Sequence, residues 1–110
     1  MTGQPSYIEL GVPDADRARA FYGQLLGWTP SGDSGPGNVE TTSLQIGLHS
    51  DDLQREMLVF FAVEDLDTSL NELKRLGGSV HGNVIEDAGF GRFAVCTDDQ
   101  DVRFALHERR

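Results

Sequence analysis

The histidine and cysteine side chains able to do acid–base or coordination chemistry in this chain are few, and two of the histidines recur as a pair. Histidine occurs at His49, His81 and His107, and cysteine only at Cys96. His49 and His107 close two related segments, Leu44-Gln45-Ile46-Gly47-Leu48-His49 and Val102-Arg103-Phe104-Ala105-Leu106-His107, 58 residues apart. Glu9 is a lone carboxylate in Tyr7-Ile8-Glu9-Leu10-Gly11-Val12. Together Glu9, His49 and His107 offer oxygen and nitrogen donors of the kind that divalent ions accept. Taken singly, Glu9 is a proton-transfer group, an anchor for a cationic ligand, or half of a structural ion pair with Arg103. His49 and His107 sit at matching strand ends, where a plain surface role competes with ligand contact. His81 falls on another strand and reads as packing or solvation. Cys96, within Phe93-Ala94-Val95-Cys96, reads as a small core residue, and a single cysteine allows no internal disulfide.

The elements that must position these groups repeat as well. Gly11-Val12-Pro13-Asp14-Ala15-Asp16 returns as Ala62-Val63-Glu64-Asp65-Leu66-Asp67, at an offset of 51. A duplicated module of about fifty residues is implied. In the first copy, Tyr7–Val12 reads as a strand, with Ile8, Leu10 and Val12 on one face and Tyr7, Glu9 and Gly11 on the other. Asp14 or Asp16 caps a helix whose apolar stripe is Ala18, Phe21, Tyr22, Leu25 and Leu26, and Gly27 ends it. Residues 31–37 read as a turn, followed by strands near 38–42 and 43–49. In the second copy, Met57–Val63 is a strand. Asp65 or Asp67 caps a helix that buries Leu66, Leu70 and Leu73 and ends at Gly77-Gly78. Strands near 79–84, 91–97 and 102–108 follow, with Asp98-Asp99-Gln100-Asp101 turning between the last two. Each half is expected to run strand, helix, three strands, with module one at 5–50, a linker at 51–56 and module two at 57–109.

Composition narrows the function classes. Nine basic residues against 18 acidic ones leave a net charge of −9, which disfavours binding to a nucleic-acid backbone. That balance suits solubility and would attract a basic ligand. No apolar run approaches the roughly 20 residues that a membrane span needs, and the N-terminus has no secretory pattern. A cytoplasmic protein with no membrane partner is the expectation. Phosphate loops, nucleophile elbows and clustered basic–aromatic surfaces are missing from the sequence.

Three motifs carry a family resemblance. Val12-Pro13-Asp14 leads to Ala20-Phe21-Tyr22-Gly23-Gln24-Leu25-Leu26-Gly27-Trp28; Val63-Glu64-Asp65-Leu66-Asp67 leads to Leu73 and Leu76-Gly77-Gly78; and Gly89-Phe90-Gly91-Arg92-Phe93-Ala94-Val95 leads to the last turn. Over nearly its whole length the chain resembles the vicinal oxygen chelate superfamily of glyoxalases, bleomycin resistance proteins and extradiol dioxygenases. The last turn departs from the family's aspartate-proline-x-glycine. The resemblance implies an α+β fold in which two tandem βαβββ modules form a curved, funnel-like mixed sheet with helices outside. It also implies four ligand positions, one on the first and one on the last strand of each module. Carried onto this chain they are Tyr7, Gly47, Leu58 and Ala105. Three of these have no donor, and phenolic Tyr7 is a poor ligand for the ions in question. No metal and no other cofactor is therefore expected.

Strand alternation then gives the expected ligand-binding set: Tyr7, Glu9, Gln45, Gly47, His49, Leu58, Phe60, Arg103, Ala105 and His107, with Trp28 either in the core or as a stacking wall. Aromatic rings, small residues and a few polar groups match an organic-ligand pocket. The leading reading is a metal-independent small-molecule binding protein, similar to the family's drug-sequestering members, that captures an antibiotic or another aromatic or cationic compound. The alternative is a lyase, isomerase or dioxygenase of the same superfamily, with Glu9 as the catalytic candidate. A homodimer is expected because family members often pair.

Overall fold

The computed structural model describes residues 3–28, 37–40, 44–50 and 55–109. Its architecture is α+β, and the chain divides into two compact units, Tyr7–Leu58 and Met1–Ser6 with Val59–Arg110. In the first unit, β1 (Pro5–Gly11, whose first two residues belong to the second unit) leads to α1 (Ala15–Leu26), β2 (Gly37–Glu40) and β3 (Gln45–His49). β3 is central. It pairs in parallel with β1, with Tyr7 opposite Gln45, Glu9 opposite Gly47 and Gly11 opposite His49, and antiparallel with β2. The sequence suggested three strands after the helix. Two are present among the described residues; residues 31–36 of the turn expected at 31–37, 41–42 of the strand expected near 38–42 and 43 of the strand expected near 43–49 lie outside them, and Gly37 opens β2.

Why α1 begins and ends where it does is visible in its caps. Asp14 is extended (φ −135°, ψ 105°), and its carboxylate accepts from the Arg17 backbone N–H at 3.1 Å. At the other end Gly27 adopts φ +72°, which only glycine enters without a side-chain penalty, and its N–H donates to the Gly23 carbonyl. Leu10, Ala15, Ala18, Ile46 and Leu48 form the core of this unit, joined by Ile8, Val12, Tyr22, Trp28 and Leu44. This core differs from the expected helix stripe. Ala15 and Ala18 are buried and Tyr22 packs beside them, whereas Phe21, Leu25 and Leu26 are exposed.

In the second unit, β4 (Met57–Ala62) leads to α2 (Leu66–Arg75), then β5 (Ser79–Asp87), β6 (Gly91–Thr97) and β7 (Arg103–Arg109). β7 pairs in parallel with β4, with Phe60 opposite Ala105 and Ala62 opposite His107, and antiparallel with β6, which pairs with β5. Asp65 repeats the Asp14 cap at φ −134° and ψ 107°, accepting from the Thr68 N–H. Leu66 and Leu70 are buried on Ala94 and Cys96, as the period of the helix required. Asp98 accepts from the Gln100 and Val102 N–H groups, which closes the expected turn between β6 and β7. β5 runs three residues past its expected end, across a register shift between His81 and Ile85 that contains Gly82 at φ +72°.

Candidate functional site

The two units carry out the repeat at the level of register. Glu9 opposite Gly47 in one becomes Phe60 opposite Ala105 in the other, and Gly11 opposite His49 becomes Ala62 opposite His107. Positions that match in sequence are thus matched in their pairing, although the two faces differ in chemistry.

On β1 and β3, alternation sends Ile8 and Leu10 to the helix side and Tyr7 and Glu9 to the other. The residue that permits this face is Gly47. A Cβ built there would land on the Tyr7 hydroxyl and the Glu9 carboxylate and would lie 2.6 Å from Tyr7 Cζ. The phenol and the carboxylate therefore both lean across the next strand at the one residue with no side chain. Tyr7, Glu9 and Gln45 are half-buried, whereas His49 is exposed at the end of β3. The first unit thus brings together Tyr7, Glu9, Gln45 and Gly47. It does not bring Trp28 to them. Trp28 stacks on Tyr22 at a centroid distance of 5.1 Å and packs with Leu10 and Ala18, on the opposite side of β1. Of its two expected roles it takes the core one.

The equivalent face of the second unit is packed with aromatic rings. Phe60 and His107 are each 3% exposed and Ala105 is fully buried. Phe90 stacks on the His107 ring at 3.9 Å, and Phe60 meets Phe90, Phe93 and His107 at 5.3–6.2 Å. His107 is therefore not the surface histidine that its strand-end position suggested. Its Nε2 lies 2.7 Å from the Phe90 carbonyl oxygen, which only accepts, so Nε2 carries the proton. Its Nδ1 lies 3.0 Å from the Ser6 hydroxyl, which is also 3.3 Å from the Phe60 carbonyl. Burial holds the His107 pKa below its ordinary value. The Phe90 carbonyl opposes that shift and Arg109 adds to it. Leu58 is buried near the start of β4, and Arg103 opens β7 opposite Thr97. Sequence reasoning missed Ser6, Phe90 and Phe93 as partners of this face. The Gly89-Phe90-Gly91 motif was a visible signal for Phe90, because its glycines adopt φ +83° and +121° and turn the hairpin back onto β7.

Cys96 is fully buried with its thiol pKa pushed up by desolvation, which fits packing and not reactivity. Among the described residues no helix is long and apolar enough to cross a membrane.

Two units, each running from a strand through a helix to further strands and each pairing its first strand in parallel with its last, define a class of duplicated α+β proteins. The sequence profile of the Glyoxalase/Bleomycin resistance protein/Dioxygenase superfamily matches residues 4–106, and the chain belongs to that superfamily. It is 29% identical to the anthracycline biosynthesis protein DnrV of Streptomyces peucetius, over 94% of this chain and 46% of the relative, and equally to DauV of Streptomyces sp. (strain C5). The chain thus spans about half the length of the curated relatives it matches. Among solved structures it is similar in fold to a hypothetical protein from Bacillus halodurans C-125 (TM-score 0.77, 15% identity, 100% of this chain and 96% of that chain). Methylmalonyl-CoA epimerase from Mycobacterium tuberculosis is also similar (TM-score 0.70, 17% identity, 99% and 89%).

Metal-dependent relatives raise the question of whether this chain can hold an ion at the corresponding positions. Its residues do not fit one. Gly47, Leu58 and Ala105 carry no donor atom, the space above Gly47 is taken by the Tyr7 phenol and the Glu9 carboxylate, and Ala105 is fully buried. Among the described residues no three His, Cys, Asp or Glu side chains gather as an ion would require, Glu9, His49 and His107 included.

Proposed function

We propose that this protein binds a planar, partly aromatic small molecule without a metal, through the face of Tyr7, Glu9, Gln45 and Gly47. The observation that carries this reading is the crowding over Gly47. A phenol and a carboxylate converge on a half-buried strand face, one supplying ring surface and the other a charge-assisted acceptor for a ligand N–H or O–H. His49, exposed at the end of β3, and Leu58, buried near the start of β4, belong to the same unit and complete the ligand set in this proposal. The names of the relatives support a polycyclic aromatic ligand, the class to which anthracyclines belong, and sequestration of such a compound by a cytoplasmic homodimer is the physiological form proposed. A half-exposed carboxylate beside a phenol also suits proton transfer, so the second reading is a metal-free isomerase or lyase that uses Glu9.

The test is a fluorescence titration with an anthracycline, accompanied by metal analysis of the protein purified without chelator. Saturable binding is expected, weakened about tenfold or more by Glu9→Gln, as for loss of one charge-assisted contact. A flat titration with folded protein, or a stoichiometric transition metal whose removal abolishes binding, overturns the proposal. Turnover of the bound compound that Glu9→Gln abolishes while binding persists would select the second reading.

A further inference from the structure

A second location in the first unit, separate from the Tyr7–Glu9 face, has the make-up of a binding site for a different chemistry. A groove of about 560 Å³ lies where β1 hands over to α1, within the size range of small-molecule sites. Its walls include Pro13, Tyr22 and the exposed Met57, and its charged groups are Arg17, Arg55 and Glu56. Its geometry is fixed by the backbone. The Gly11 N–H donates to the Glu56 carbonyl at 2.9 Å, and the Glu56 N–H returns to the Gly11 carbonyl at 3.2 Å, which holds Arg55 beside the end of β1. Arg55 sits at φ +51°, a conformation that a residue with a side chain rarely adopts.

Most other cations of this acidic chain are engaged. Arg75 pairs with Glu72; Arg92 contacts Asp67, Glu86 and Glu108; Arg109 reaches the Ser6 carbonyl. Among the described residues the guanidinium groups of Arg17 and Arg55 have no hydrogen-bond or ion-pair partner. Two guanidiniums with no partner among the described residues, beside an apolar wall, form a recognition element for a carboxylate on an apolar body, since the planar fork matches a carboxylate in two parallel hydrogen bonds.

The duplication supplies an internal control. At the offset of 51, Arg55 answers to Gln4, Arg17 to Thr68 and Pro13 to Glu64. The second unit has a groove of about 320 Å³ at this place, and its charged groups are Glu64, Glu108 and Arg109. The fold thus creates a depression at the end of each first strand, with two arginines to one carboxylate in the first copy and the reverse in the second. Arginine at positions 17 and 55 is not a demand of the module.

We infer that the Arg17–Arg55 groove binds an organic carboxylate carrying an apolar or aromatic body. The test is a ¹⁵N-resolved NMR titration with naphthalene-1-carboxylate and its neutral isostere naphthalene-1-carboxamide. The carboxylate is expected to shift the amides of Gly11, Arg17 and Met57 and to bind roughly tenfold tighter than the carboxamide at low salt. That preference shrinks as salt rises, as for an exposed charge contact. Arg17→Gln with Arg55→Gln brings the carboxylate down to the carboxamide's affinity, whereas Lys74→Gln leaves it unchanged. The same spectra report whether each variant is folded, and Arg17→Gln alone serves if the double variant is not. Shifts absent from the groove, equal affinity for the two probes, or a preference that survives loss of the arginines overturns the inference. Anthracycline binding at the Tyr7–Glu9 face stands or falls separately, because neither arginine belongs to it.

Discussion

Replacing Gly47 by alanine tests the arrangement on which the proposed function rests. The added methyl carbon would sit 2.6 Å from Tyr7 Cζ and overlap the Tyr7 hydroxyl and the Glu9 carboxylate, where ordinary contact is 3.4–4 Å. The ring must therefore retreat by about 1 Å or more, and Glu9 must rotate away. Tyr7 is only half-buried, so part of the clash relaxes toward solvent. Overpacking of this kind costs about 1–3 kcal/mol. For a domain of this size that corresponds to a fall in Tm of roughly 5–20 °C. Circular-dichroism melts and urea titrations measure it. The decisive comparison is Gly47→Ala in a Tyr7→Ala background, where only the flexible end of the Glu9 side chain still meets the methyl. There the cost should drop below about 0.5 kcal/mol, leaving a coupling of about 1–2 kcal/mol between positions 7 and 47. A cost that is the same in both backgrounds, or negligible in the parent, would refute the placement of the Tyr7 ring over Gly47.

Acidification should destabilise the protein through His107. Its pKa is held below the ordinary 6.5 in the folded state, so the unfolded chain takes up the proton first. Its contribution is complete above pH 6.5 and declines as pH falls through that value. Urea midpoints measured across this range should therefore drop more steeply for the parent than for His107→Gln, and parallel curves would contradict the buried neutral ring. Leu66→Ala, at a fully buried position, should cost about 2–5 kcal/mol in urea denaturation, whereas Leu25→Ala on the exposed side of α1 should stay within about 0.5 kcal/mol. Asp14→Ala and Asp65→Ala should each cost about 1 kcal/mol by the same measurement, since the two caps have the same geometry.

Much of the fold was legible because it rests on local rules. Asp14 and Asp65 announce helix starts, Gly27 announces a stop, and alternation through Ile8, Glu9 and Leu10 separates a core face from an open one. The exposure of Phe21, Leu25 and Leu26 was not legible. Helical periodicity identifies a stripe, and what the rest of the chain packs against it decides which part is covered, here Ala15 and Ala18. Trp28 illustrates the same point, since its stacking on Tyr22 depends on where the chain goes after Gly27.

What the sequence determined by itself was the duplication, its offsets, and the identity of side chains at the paired positions. From these follow the equivalence of positions 9 and 60 and of positions 47 and 105, and the lack of side-chain donor atoms at Gly47, Leu58 and Ala105. Tertiary structure alone decided that one of two equivalent faces stays half-open and polar while the other closes around His107, Phe90 and Phe60. It alone brought Arg17 and Arg55 to one groove. The physical reason is separation along the chain. Periodicity fixes the direction in which a side chain leaves its own strand or helix. What that side chain meets is set by residues tens of positions away, such as Ser6 and His107, whose approach is the work of the fold as a whole.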